Sequence, residues 1–163
     1  MANTKIQVTM ENDAGFVIEL MPEYAPKTAE NFENLVKQGF YDGLTFHRVI
    51  DGFMAQGGDP MGTGMGGSDE TIPGEFAANG FAQNTLSHQR GVISMARSAN
   101  PNSASSQFFI CYDDASFLDG QYAAFGKVIE GMETVDDFLK VKRVGPEGGT
   151  PTEDIRIQTM KVL

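Results

Sequence analysis

The chain has 163 residues, of which 22 are acidic and 12 are basic, so its net charge is −10. This length predicts a single domain over residues 1–163, long enough to bury a core without disulfides. The acidic balance excludes the clustered basic face that nucleic acid or an anionic membrane surface would require.

The cysteine count and the N-terminal segment indicate the compartment. Cys111 is the single cysteine, which excludes an internal disulfide and a cysteine zinc cluster, and its apolar neighbours predict an inert buried thiol. The N-terminus lacks the basic-then-apolar pattern of a signal peptide, and no apolar run approaches the length of a membrane span. We therefore expect a cytoplasmic protein.

Two elements are predicted in the first forty residues. Apolar and polar residues alternate over 5–11 and 16–21, and turn-forming residues separate them, which predicts a β-hairpin. Apolar residues at helical spacing then predict an amphipathic helix over 28–37, ended by Gly39.

The remaining elements are short strands with one more helix. Residues 44–49 and 53–57 are predicted to form strands joined by a turn at Asp51-Gly52, and 57–82 is predicted to be an ordered surface loop. So many strands with only two helices favour one antiparallel sheet closed on itself, with the helices covering its ends. The later predictions are strands at 91–95, 107–112, 123–129 and 152–163 and a helix at 131–140.

One stretch carries an unusual combination of side chains. Residues 46–58 read FHRVIDGFMAQGG, in which Arg48 and Gln56 lie among apolar residues that include Phe53 and Met54. Charged side chains are rarely buried without a partner. We therefore expect Arg48 and Gln56 to face outward from a rigid wall onto a small apolar pocket.

A glycine-rich segment matches the spacing of a dinucleotide-binding motif. The segment GTGMGG at 62–67 fits the pattern, but that chemistry needs a helix directly after the glycines to hold the pyrophosphate. Pro73 and Gly74 lie where this helix would run, so a turn-rich loop is predicted instead.

The two histidines, His47 and His88, are too few for a zinc site and are not predicted to form a serine triad. His47 neighbours Arg48 in a predicted strand, so it should point to the interior as a hydrogen-bonded structural histidine. The small polar segment NPNSASS at 100–106 is consistent with either a plain loop or the rim of a peptide-binding groove.

Four blocks of sequence, in this order and spacing, carry a family resemblance over nearly the whole chain. The blocks are FHRVIDGFMAQGGD, GVISMARS, NSASSQFFI and SFLDGQYAAFGKVIEGMETVD. They resemble the cyclophilin family of peptidyl-prolyl cis-trans isomerases. The resemblance implies a mainly β fold, a closed eight-stranded antiparallel barrel capped by two α-helices.

The resemblance also implies the activity and the residues that carry it. Arg48 is expected to be catalytic, and no metal or other cofactor is expected. The partners are expected to be proline-containing peptides and flexible protein segments, bound by a monomer. The residues expected to bind substrate are Phe53, Met54, Phe109 and Leu118 in a proline pocket, Gln56, Ala96 and Gln107 in a groove, and Arg97, Phe117 and Tyr122 beside them.

Three positions depart from the pattern of many eukaryotic members. Phe117 replaces a tryptophan, Tyr122 a histidine and Arg97 an asparagine, and all three changes resemble bacterial cyclophilins. They imply weak cyclosporin binding. Two other functions stay open: a proline-peptide binding module without catalytic purpose, and a nucleotide-dependent enzyme built on residues 62–67.

Overall fold

Eight strands of the computed structural model, which describes residues 3–163, form one antiparallel sheet, and two very short strands form a separate hairpin. In sheet order the eight are β10, β1, β2, β7, β5, β6, β4 and β3. The strands are β1 (Lys5–Met10), β2 (Gly15–Leu20), β3 (Phe46–Ile50), β4 (Met54–Gly57), β5 (Val92–Met95), β6 (Phe108–Cys111), β7 (Ala124–Glu130), β8 (Arg143–Val144), β9 (Thr150–Pro151) and β10 (Ile157–Val162).

The helices are α1 (Pro26–Lys37) and α2 (Met132–Asp137). Single 3₁₀ turns lie at Ala77–Asn79, Ser116–Leu118 and Phe138–Lys140. No helix within residues 3–163 is long and apolar enough to cross a membrane.

The sheet curls into an open half-barrel, so the predicted closed barrel was wrong. Its edge strands β3 and β10 form no ladder with each other. The segments 43–46 and 155–157 meet at one isolated bridge, Thr45–Arg156, and at backbone hydrogen bonds from Phe46 to Ile155 and between Ile157 and residues 43–44. The β8–β9 hairpin explains why β3 and β10 do not pair further along their length. The amide of Val49 donates to the carbonyl of Gly149 at 2.8 Å, and Arg143 Nη1 donates to the carbonyl of Val49 at 3.1 Å. The outer edge of β3 is thus occupied by the hairpin instead of β10.

The core lies on the inner side of the curved sheet, where α1 and the side chains of Val135 and Phe138 pack against it. Alternate residues of the strands point inward, as strand geometry requires, and Phe32 of α1 is fully buried against them. Its ring centroid lies 5.1 Å from those of Tyr41 and Phe125 and 5.5 Å from that of Phe108. A second, smaller apolar cluster contains Met54, Phe109, Cys111 and Ala115.

Most predicted elements are confirmed, with shifted ends. The helix α1 begins at Pro26 rather than 28, because proline suits the first helical position, where its missing N–H costs nothing. The second helix is one short α-helix followed by a 3₁₀ turn. The last strand begins at Ile157 instead of 152, because β9 and irregular residues precede it. The burial of Cys111 raises the pKa of its thiol to about 12, as an inert thiol requires.

Candidate functional site

The first cavity of the site lies over the second apolar cluster and has a volume of about 210 Å³. We call it the proline pocket, after the role that the family resemblance implies for its residues. All of the sequence-predicted site residues except Gln107 and Phe117 line it: Arg48, Phe53, Met54, Gln56, Ala96, Arg97, Phe109, Leu118 and Tyr122.

Strand register brings the central residues together. Arg48 of β3 pairs with Gln56 of β4, Gln56 pairs with Phe109 of β6, and Phe109 pairs with Ser94 of β5. Directly opposed residues in antiparallel strands project to the same face. These four side chains therefore form a row across four strands on one face of the sheet, with the cation at one end and the phenyl ring near the middle.

The guanidinium of Arg48 is held from two sides. Its Nε and Nη2 atoms each donate to the carboxylate of Glu147 at 2.9 Å, and its Nη1 donates to Gln56 Oε1 at 3.2 Å. A guanidinium has five N–H donors, so two remain for a ligand. Bonding to Arg48 lowers the pKa of the Glu147 carboxyl group.

Gln56 and Gln107 extend these contacts of Arg48 into a chain of hydrogen bonds. Gln56 Nε2 donates to Gln107 Oε1 at 2.9 Å, and Gln107 Nε2 donates to the carbonyl of Gly66 at 2.8 Å. Each amide uses one donor and one acceptor, so the orientation of one fixes the next. The chain links Arg48 to the glycine-rich loop.

The second cavity lies beside the proline pocket and has a volume of about 320 Å³; we call it the side cavity. It shares Gln56, Ala96 and Arg97 with the proline pocket. Gln107 lines the side cavity but does not line the proline pocket. Ser103 and Ser105 also line it, which favours the interpretation of segment 100–106 as a groove rim. The other lining residues are Gly64, Met65, Gly66, Gly67, Ser68 and Ser98.

Asp59 shapes the glycine-rich loop on the far wall. Its carboxylate accepts backbone bonds from Met61 at 2.8 Å, Thr63 at 3.0 Å and Gly64 at 2.6 Å. Burial opposes ionisation of Asp59, but these backbone donors outweigh it and lower its pKa. No helix begins in the residues directly after 62–67, which agrees with the predicted turn-rich loop.

Arg97 forms the partition between the two cavities. Its guanidinium carbon lies 4.6 Å from the ring centroid of Tyr122 and 4.9 Å from that of Phe76. Its Nη2 donates to the carbonyl of Gln121 at 2.7 Å and its Nη1 to that of Ser98 at 3.0 Å. The side chain is therefore fixed in place and holds the wall of the proline pocket.

Phe117 lies outside both cavities. It is 66% exposed, and its ring centroid is 5.7 Å from that of Phe53 at the pocket rim. Phe117 therefore lies at the rim and does not line either cavity.

Beneath the pocket, His88 takes part in a buried hydrogen-bond chain that resembles a serine triad. Its Nδ1 lies 2.8 Å from Asp119 Oδ1, its Nε2 lies 2.8 Å from Ser94 Oγ, and its ring stacks on Phe109. The carboxylate can only accept, so Nδ1 carries the proton and Nε2 accepts from the serine. Because His88 and Ser94 are both fully buried, no substrate can reach this serine.

The prediction for His47 was wrong. Its side chain is only partly buried, and within residues 3–163 its Nδ1 has no hydrogen-bond partner. A register irregularity between Phe46 and Arg48 removes His47 from regular pairing with β4. The buried, hydrogen-bonded histidine is His88 instead, for which the sequence analysis predicted no such role.

Three comparisons with known proteins agree with one another. A family model described as cyclophilin type peptidyl-prolyl cis-trans isomerase/CLD matches residues 5–162. A probable peptidyl-prolyl cis-trans isomerase of Brucella suis is 45% identical, with 78% of this chain and 68% of that protein aligned. The peptidyl-prolyl cis-trans isomerase-like 3 of Gallus gallus is 43% identical over 95% of this chain and 94% of its own length.

Among solved structures, a cyclophilin-type peptidyl-prolyl cis-trans isomerase of Cryptosporidium parvum, crystallised in the presence of the dipeptide Ala-Pro, is similar throughout. It superposes with a TM-score of 0.85 at 32% identity, covering 98% of each chain.

Proposed function

This chain belongs to the cyclophilin-type peptidyl-prolyl cis-trans isomerases, and we propose that Arg48 is the group that accelerates the rotation while the proline pocket holds the ring. The observation that carries this proposal is the position of Arg48, on the rim of an apolar pocket and with two N–H groups unused. The substrates we propose are prolyl bonds in peptides and in flexible protein segments.

The reaction has a conformational barrier and breaks no bond. A peptide bond resists rotation by roughly 18–20 kcal/mol, because the nitrogen lone pair is shared with the carbonyl. In the twisted transition state the lone pair returns to the nitrogen, which becomes pyramidal and basic. An N–H donor aimed at that nitrogen binds the transition state better than the planar ground state, and only such a difference accelerates the step.

Arginine suits this task because it stays charged and presents its donors in a rigid plane, without proton transfer. Each tenfold gain in rate needs about 1.4 kcal/mol. Charge-assisted hydrogen bonds are among the stronger ones in proteins, so one well-placed bond could supply several such factors.

The apolar walls have a separate role. Burying the three ring methylenes of proline against Phe53, Met54, Phe109 and Leu118 would contribute about 2 kcal/mol of binding. The row of polar groups through Gln56 would hold the chain that precedes the proline. One side of the bond is then fixed while the other turns.

Arg48→Ala tests this role. We expect kcat/KM for a short Ala-Pro peptide, measured by exchange NMR, to fall about 10²- to 10³-fold, as for loss of one preorganised donor. Peptide affinity should change little, because the apolar walls remain. Arg48→Lys, which keeps the charge and loses the planar fork, should also be strongly impaired.

Arg156→Ala is the matched control, since this arginine pairs with Glu11 and Asp154, away from the site. It should isomerise the peptide like the wild type. Full activity of the Arg48→Ala protein would refute the proposed role of Arg48.

A further inference from the structure

We propose that Glu147 is a positioning residue for the isomerisation, which sets the plane of the Arg48 guanidinium and so directs its unused N–H groups toward the proline pocket. This inference rests on the role of Arg48 proposed above. Glu147 does not line the pocket, so it would act through Arg48 rather than on the substrate.

The geometry of the contact favours orientation over simple charge pairing. Both oxygens of Glu147 are used, one by Nε and one by Nη2 of Arg48, each at 2.9 Å. Such a two-point contact fixes the guanidinium plane, whereas a single bond would leave it free to turn. Glu147 accepts from the edge formed by Nε and Nη2, and Gln56 accepts from Nη1. The Arg48 guanidinium is therefore held on two different edges.

The turn that carries Glu147 is itself fastened to the strand that carries Arg48. Residues 145–148 form a tight turn between β8 and β9, closed by a bond from the amide of Gly148 to the carbonyl of Gly145 at 3.0 Å. The next residue, Gly149, accepts the bond from the amide of Val49, the neighbour of Arg48. The turn that carries Glu147 is therefore fixed in position, although 58% of the Glu147 side chain is exposed.

This gives the β8–β9 hairpin a function beyond closing the edge of the sheet. Glu147 lies at one end of a hydrogen-bond chain that runs through Arg48, Gln56 and Gln107 to the carbonyl of Gly66. Each polar group in this hydrogen-bond chain is therefore oriented by a neighbouring group. Removing the Glu147 carboxylate would free the Arg48 end of this hydrogen-bond chain, which is the end at the proposed site of rotation.

Glu147→Gln tests the proposal, because it keeps the size of the side chain but cannot accept on both atoms. We expect kcat for an Ala-Pro peptide to fall about threefold to tenfold while KM stays nearly constant, since a small displacement of a catalytic group affects the transition state most. The side-chain Nε–H signal of Arg48 in NMR spectra should broaden or move, while the melting temperature stays the same.

Two further variants make the result decisive. Glu153→Gln removes the same charge from an exposed side chain that makes no side-chain hydrogen bond or ion pair within residues 3–163, and it should leave both kcat and the Arg48 signal unchanged. In an Arg48→Ala background, Glu147→Gln should have no additional effect on kcat.

The outcomes separate this inference from the proposed function. Loss of activity in Arg48→Ala together with unchanged or increased kcat in Glu147→Gln would overturn only the role of Glu147. Full activity in Arg48→Ala would overturn both.

Discussion

At the scale of single residues, the proline pocket depends on side chains whose positions are fixed by other side chains. Arg97 is an example, because stacking against Tyr122 and Phe76 and bonding to backbone carbonyls leave it no freedom. Tyr122 in turn meets Phe109 edge to face, with ring centroids 5.9 Å apart. The position of the pocket wall formed by Tyr122 and Phe109 therefore depends on the guanidinium of Arg97, which is itself held in place.

Arg97→Lys should weaken substrate binding without altering the rotation step. Lysine keeps the charge but cannot stack as a plane between two rings, a contact worth about 0.5–1 kcal/mol at exposed sites. We expect KM for an Ala-Pro peptide to rise about threefold with kcat nearly unchanged. Arg90→Lys, at a surface pair with Asp136, is the control. A change in kcat alone would contradict this role.

The sequence predicted many of these residues but not their connections. Alternation in the stretch 46–58 is enough to place Arg48 and Gln56 on one face, because strand geometry is local. The contact between Arg48 and Glu147 joins residues 99 positions apart through a hairpin of two-residue strands, which leaves no periodic signal. The buried partners of His88 were missed for the same reason.

At the scale of elements, glycine fixes how closely α2 approaches the first hairpin. Gly131 precedes α2 with φ of +79°, and a Cβ there would lie 2.4 Å from the carbonyl oxygen of Gly15 and 2.9 Å from the Cα of Phe16. Both atoms belong to backbone, so neither can move away alone. The start of this helix is therefore set by a close backbone contact as well as by sequence propensity.

Gly131→Ala should lower the free energy of unfolding by about 2 kcal/mol or more, from strain at positive φ together with the clash. Gly80→Ala is a matched control, because Gly80 has a similar φ of +84° but nothing within 4 Å of an added Cβ. Urea unfolding of both variants separates the two contributions. Equal losses would show that the contact with β2 has no effect.

At the scale of the whole molecule, the sequence predicted a mainly β antiparallel fold with two helices, but not how the sheet ends. Patterns of alternation give strands and their inward faces, while closure depends on which backbone groups remain free at the two edges. Val49 has both of its backbone groups occupied by the segment 143–149, so β3 cannot continue a ladder to β10. That competition is a property of tertiary structure, which a local pattern cannot reveal.

Stability of the whole fold should depend on pH through its two histidines. Burial lowers the pKa of His88 despite the opposing effect of Asp119. Burial also lowers the pKa of His47, where Asp59 opposes the shift and Arg48 adds to it. The unfolded chain therefore binds more protons than the folded protein once the pH falls below about 6.5. The free energy of unfolding should be level above neutral pH and decrease below this value, by at most about 1.4 kcal/mol per pH unit for each histidine.

The carboxyl groups act in a different window. The pKa values of Asp59 and Asp119 are lowered in the folded protein, so their contributions are complete above about pH 4 and are lost only as the pH falls further. Urea unfolding between pH 7.5 and 5 thus isolates the histidines. His88→Gln should reduce the pH dependence in this range, at a cost in stability at neutral pH because Asp119 and Ser94 lose a buried partner. A wild-type stability that stays constant down to pH 5 would show that protonation of His88 does not oppose folding.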